Sequence, residues 1–274
     1  MSHRFFEGEE IAMTYSKYRH SPPEEVQSII LSYIKEKRTP VQLAVDVGCG
    51  TGLSTRALAA HFRQVVGTDI SEAQIEEAKK VPGFPNISYC ICPAEKLPFK
   101  DSSVDLVFSS VAAHWFNIEG FMSEVKRVLK PNGCLSLHAY QIQFELHYKD
   151  LSETLSQIYQ EAFDFSCQYL PEDAHESLNI IRNEYKEIFD SIPFTDKTRI
   201  TNILVKQSMS VANVVGLIST VSAYQYVKEK DPDTALSLIQ RTEQRLLEAM
   251  GVSSNQTKVE LRSRYFCLLA CKSE

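Results

Sequence analysis

Val41-Gln42-Leu43-Ala44-Val45-Asp46-Val47, followed at once by Gly48-Cys49-Gly50-Thr51-Gly52, decides the fold. A short apolar run that stops at a glycine suits a strand buried on both faces and is too short for a helix. Glycines at alternate positions behind it permit a tight turn and let a ligand approach the backbone closely. The dinucleotide fingerprint G-x-G-x-x-G, counted from Gly48, requires Gly or Ala at position 53, where Leu53 stands. A P-loop requires Gly-Lys-Ser/Thr, and no lysine follows here. The segment therefore predicts a cofactor loop of neither kind at the end of a first strand.

Working outward, apolar residues at Val26, Ile29, Ile30 and Tyr33 recur at helical spacing behind Pro22 and Pro23. Downstream, a helix over Leu53–Phe62 leads to a strand over Gln64–Thr68, and Ser71-Glu72-Ala73-Gln74 fits a capping box for a helix to about Lys80. Strands follow at Ile87–Cys92 and Val104–Ser109, then a helix over Ile118–Leu129, a turn at Pro131-Asn132-Gly133 and a strand at Cys134–Tyr140. Such alternation predicts a doubly wound α/β fold whose functional residues stand just after each strand. Beyond Tyr140 the rhythm becomes helical, with stripes at Leu151, Leu155, Ile158 and Ala162 and at Leu178, Ile181, Tyr185 and Ile188. Strand-like runs return near Arg199–Lys206 and Arg264–Ala270, and Asp231-Pro232-Asp233 opens a last helix. The expectation is a seven-stranded, mostly parallel sheet in one domain over residues 1–274. Residues 1–140 form the core, 141–198 a helical cap inserted after the fifth strand, and 199–274 the last two strands with intervening helices.

Composition narrows the function. Twenty-nine Lys and Arg against 35 acidic residues leave a net charge of −6, the wrong sign for a general nucleic-acid or anionic-membrane binder. Val211–Tyr224 is polar-interrupted and too short to span a bilayer. Seven cysteines without a CxxC pair, and no His cluster at ligand spacing, suggest reduced thiols and no metal site. Met1–Glu10 has neither a signal-peptide nor a transit-peptide pattern, so the reading is cytoplasmic.

D-x-G-x-G-x-G at Asp46–Gly52, the acidic Asp69 ending the second strand, Ala94-Glu95-Lys96-Leu97-Pro98-Phe99 after the third and Val128-Leu129-Lys130-Pro131-Asn132-Gly133 before the fifth stand in order. Together they resemble class I S-adenosylmethionine-dependent methyltransferases over about Tyr15–Tyr140. The resemblance is nearest to the type 11 group around trans-aconitate methyltransferase and its eukaryotic relatives. It implies S-adenosylmethionine as cofactor and S-adenosylhomocysteine as product. Gly48, Gly50 and Gly52 would form the floor under the methionine and ribose, and Asp46 would fix the loop or meet the amino group. Asp69 would accept from both ribose hydroxyls. Pro93 stands where many relatives have Asp or Thr, so the adenine edge falls to backbone groups of Ala94 and Glu95. Ser109 or Ser110 would lie beside the methionine portion, and Tyr18 and Arg19 over the cofactor, the arginine meeting its carboxylate.

The acceptor is expected against the loops after the fourth and fifth strands. His114 is the candidate general base, since an imidazole titrates near neutrality. Trp115, Tyr140, Thr220 and Tyr224 are candidate pocket residues, and the cap offers Tyr159, Phe163, Tyr169, Arg182 and Tyr185. His138 reads equally as a site residue and as a core residue. An acidic chain with a bulky cap favours a small-molecule acceptor. A protein or RNA methyltransferase, and a non-catalytic S-adenosylmethionine-binding protein, share the cofactor half. The sequence leaves the oligomeric state open between monomer and dimer.

Overall fold

The structure is a computed structural model that describes residues 8–273; Met1–Glu7 of the N-terminal reading lie outside the described residues. The chain opens with α1 (Glu9–Tyr18), which the sequence reading did not assign, and α2 (Glu24–Glu36), entered from Pro23. The alternating core follows as β1 (Leu43–Val47), α3 (Leu53–Leu58), β2 (Gln64–Asp69), α4 (Glu72–Lys79), β3 (Ile87–Ile91), β4 (Val104–Ser110), a 3-10 turn at Ala113–Trp115, α5 (Ile118–Val128) and β5 (Leu129–Tyr140). Then come β6 (Glu145–His147), α6 (Ser152–Cys167), α7 (Glu172–Arg182), α8 (Lys186–Ser191), β7 (Asp196–Ser210), α9 (Val211–Ile218), α10 (Ser222–Lys230), α11 (Pro232–Met250) and β8 (Lys258–Cys271).

The strands form one sheet in the order β3-β2-β1-β4-β5-β8. β1 to β5 pair in parallel, and β8 runs against β5 on one edge and β7 on the other. The eighth strand, β6, adds three residues on β5's side of β8. The order of successive strands reverses between β1 and β4, a switch point that opens a crevice at the carboxyl ends of the strands.

Period-two alternation explains the two-sided core. Val45, Val107 and Leu135 face a cluster completed by Phe121 and Val125 of α5, while Ala44, Leu106 and Phe108 face Val26, Ile30 and Ile34 of α2. A separate cluster joins Met209, Val259 and Leu261 of the long β7–β8 ribbon to α6, α9 and α11. Both ribbon strands outrun their sequence assignments, because the ribbon's outer face is polar and carries no apolar run.

Two boundaries depart from the sequence reading for identifiable reasons. The Pro131–Gly133 turn exists, but inside β5: the register passes from Val104–Leu129 to Leu106–Cys134, with Asn132 at φ 62°. The stripe through Tyr185 is broken by positive φ at Glu184 and Tyr185, which ends α7 and starts α8. Thr220, Ser222 and Tyr224 fall at the α9–α10 junction. The last helix is capped as expected, Asp231 accepting from the Thr234 N–H at 3.1 Å with Pro232 in the first turn.

Candidate active site

The loop between β1 and α3 is held from below. Asp46 is fully buried, and its Oδ2 accepts from Ser54 Oγ and Thr55 Oγ1, both at 2.7 Å, clamping the start of α3 to the strand. Burial pushes its carboxyl up to about 6, against the opposing pull of those two hydrogen bonds. The Gly48 and Cys49 N–H groups donate to Thr68 O at 2.8 and 2.9 Å, tying the loop to β2. Gly52 sits at φ 76° as the first cap of α3, where a side chain would run into the Tyr89 hydroxyl. Asp69, at the end of β2, accepts from the Gly50 N–H with Oδ2 at 2.8 Å and from the Ser71 N–H with Oδ1 at 2.9 Å.

Above this loop lies a cavity of ≈ 280 Å³. Of the residues expected at the cofactor, Arg19, Gly48, Gly50, Asp69, Ala94 and Ser110 line it; of those expected at the acceptor, Trp115 and Tyr140 do. The others stand behind the wall. Tyr18 lies with its ring against Gly216 of α9. Glu95 accepts from the Asn117 N–H at 2.7 Å and fixes the start of α5. Ser109 is buried, and Tyr224 belongs to the cluster beneath α9 and α11. Thr220 meets the cavity through Arg19, whose Nε donates to its Oγ1 at 2.7 Å. None of the five cap candidates lines the cavity: Tyr159, Phe163 and Tyr185 are core residues, and Tyr169 and Arg182 face outward.

The geometry does not bring His114 to the cavity. It is buried, its Nδ1 shares a hydrogen bond with Tyr185 Oη at 2.7 Å, and burial, with the Arg19 charge adding, lowers its pKa to about 3. A neutral imidazole fixed in this way anchors the turn that presents Trp115 to the cavity. Arg19 lies 5.2 Å from the Tyr15 ring centroid and 5.7 Å from that of Tyr140, and makes no ion pair among the described residues.

Residues 45–137 match the family described as "Methyltransferase domain". A methyltransferase-family protein of Dictyostelium discoideum is 32% identical over 250 residues, 91% of this chain and 88% of its own length. A Saccharomyces cerevisiae protein named as an S-adenosylmethionine-dependent methyltransferase is 31% identical over 171 residues, 60% of this chain and 57% of its own. In fold, a type II methyltransferase structure from Anaeromyxobacter dehalogenans superposes with a TM-score of 0.71 at 20% identity, over 93% of this chain and 99% of that one. This chain belongs to the S-adenosylmethionine-dependent methyltransferases.

The methyltransferase's own residues fit that cofactor. A Cβ on Gly50 would have Gln74 Oε1 at 3.5 Å and Tyr15 Cε1 at 3.9 Å as its nearest neighbours, both from cavity-lining residues, so glycine here leaves a floor of bare backbone. The Asp69 carboxylate stands at the same floor, the acceptor pair that the two hydroxyls of a ribose diol require. Sequence reasoning missed Tyr15, Gln74 and, on the far wall, Phe144, Gln207, Ser263 and Tyr265. Leu261, Ser263 and Tyr265 alternate on one face of β8, a period-two signal that would have marked the last two. Val111 was also missed. It lines the cavity with φ 54°, an uncommon conformation for a β-branched residue, and its N–H donates to His138 O at 2.8 Å.

Proposed function

We propose that this methyltransferase methylates a small-molecule acceptor in the cytoplasm. The observation that carries the reading is the cavity itself, which runs from the glycine loop to a wall of Trp115, Tyr140, Phe144 and Leu217 under α1 and α9. Apolar and aromatic walls with a few polar groups are what a small ligand requires. The net charge of −6 and the lack of a basic stripe weigh against RNA. Seven free cysteines suit a reducing compartment.

In this reading Gly48, Gly50 and Asp69 hold the cofactor's ribose and methionine end, and the Ala94 backbone meets the adenine. Arg19, fixed by Thr220, supplies the positive charge for a carboxylate. S-adenosylmethionine supplies a methyl group on a sulfonium whose leaving group is a neutral thioether, so no acid is needed at sulfur. The protein's task is then positioning and exclusion of water, which together account for much of such a rate enhancement. Trp115 and Tyr140 wall the acceptor side. His114, held by Tyr185, acts by orienting the adjacent Trp115.

Incubation with methyl-labelled S-adenosylmethionine and fractionated cell extract tests the reading. Label in the small-molecule fraction is expected. Label confined to protein or RNA would overturn the acceptor class, and no transfer at all would favour a cofactor-binding protein without catalysis.

A further inference from the structure

His138 is not used by this reading. It is fully buried at the carboxyl end of β5, lines the cavity, and stands in register with Ser110 of β4 and Cys267 of β8. Its Nε2 lies 3.0 Å from Ser110 Oγ, the Phe108 ring is 5.1 Å away, and Nδ1 is enclosed with no hydrogen-bond partner among the described residues. A core position here would be filled better by an apolar ring of the same size, because a buried polar atom left without a partner is costly.

A neutral imidazole carries its proton on one nitrogen and a lone pair on the other. Placing the proton on Nδ1 would bury a donor with nothing to receive it, and orphaned buried N–H groups are rarer than under-satisfied acceptors. The proton therefore belongs on Nε2, which donates to Ser110 Oγ. One of the serine oxygen's two lone pairs is then taken. Its hydroxyl has no other protein partner among the described residues, and Ser110 lines the cavity, so the hydroxyl hydrogen is directed into it. Burial keeps the ring neutral, its pKa lowered to about 3, so the arrangement persists at physiological pH.

We propose that His138 is a positioning residue that fixes the Ser110 hydroxyl as a donor to the carboxylate at the methionine end of the cofactor. The inference rests on the reading that sets Ser110 beside that end. A hydroxyl free to rotate serves an ammonium and a carboxylate alike; one that already accepts from His138 has its O–H left to give, which favours the carboxylate, with the Arg19 guanidinium in the same cavity.

Calorimetry with two ligands tests this: S-adenosylhomocysteine, and 5′-methylthioadenosine, which lacks the amino-acid end. Ser110→Ala and His138→Leu should each weaken S-adenosylhomocysteine by about tenfold or more and leave methylthioadenosine unchanged. His138→Gln, whose side-chain amide still donates, should stay within about threefold of wild type. Nitrogen-15 spectra of the imidazole should show the proton on Nε2. An unprotonated Nε2, wild-type S-adenosylhomocysteine affinity in Ser110→Ala, or an equal loss of both ligands would each overturn the proposal. If His138→Leu does not fold, Ser110→Ala and the spectrum decide. Wild-type protein that bound methylthioadenosine but not S-adenosylhomocysteine would also sink it, whereas binding of neither would bring down the cofactor reading itself.

Discussion

The glycine-loop floor and the far wall of this cavity are built from contacts of very different reach. At the floor, Asp46 bonds residues eight and nine positions away and Asp69 reaches back nineteen to Gly50. On the wall, Arg19 meets Thr220 across 201 positions and His114 meets Tyr185 across 71. Their electrostatics differ in sign too. The floor buries a carboxyl raised to about 6, and the wall buries imidazoles lowered to about 3. Burial drives both, each time against the charged form. The floor can form once two strands, a turn and a helix are in place, whereas the wall forms only when the whole chain has closed.

The largest effect that would break this comparison is the pH dependence of folding. His114 and His138 bind protons more weakly folded than unfolded, so their stabilisation is complete above pH 6.5 and is lost as pH falls towards 3, at of order 3–5 kcal/mol each. Asp46 works the other way: its folded pKa is raised, so it gains about 3 kcal/mol as pH falls from about 6 to below 4. Urea midpoints between pH 4 and 7 should show a shallower acid loss in His114→Gln than in wild type and a steeper one in Asp46→Asn. Parallel slopes in all three proteins would show that the two ends are not electrostatically opposed.

Next in size, Asp69→Ala should weaken S-adenosylhomocysteine binding by about 1.5–3 kcal/mol, the range for hydrogen bonds to a charged group. Unchanged affinity by calorimetry would detach Asp69 from the ribose. Gly52→Ala should destabilise the fold by about 1–3 kcal/mol through its positive φ and the contact with Tyr89, and Tyr89→Phe in the same chain should recover part of that loss. A thermal melt of the double variant no better than the single would place the whole cost in the backbone. The smallest effect has the opposite sign: Val111→Gly should raise stability by about 0.5–1 kcal/mol by releasing the left-handed strain, and a lower midpoint would refute strain there.

The same division of reach explains what the sequence disclosed. Alternation from Val41 to Tyr140 was enough for the order of strands and helices, because each element there is specified by its own period and flanking turn residues. Gly50 and Asp69 were legible as a pair, their spacing being set by one helix and one strand. Gln207 was not, since nothing near it in sequence announces a ligand; it reaches the cavity only because β7 and β8 run past the edge set by β5. His114 misled for a related reason. Its place after β4 suited a base, but its partner Tyr185 comes from a helix break 71 positions later.

The ribbon of β7 and β8 has a consequence for how this protein can change. One of its ends is anchored beside β5, and the other carries Gln207 and Leu261 into the cavity from a core shared with α6, α9 and α11. Substitutions in that core reshape the far wall by shifting a strand, leaving Asp46, Asp69 and the glycine loop untouched. On the proposed reading, acceptor choice is thereby separable from methyl-donor binding, and a lineage built on this plan can diverge in substrate while its glycine-loop floor stays still.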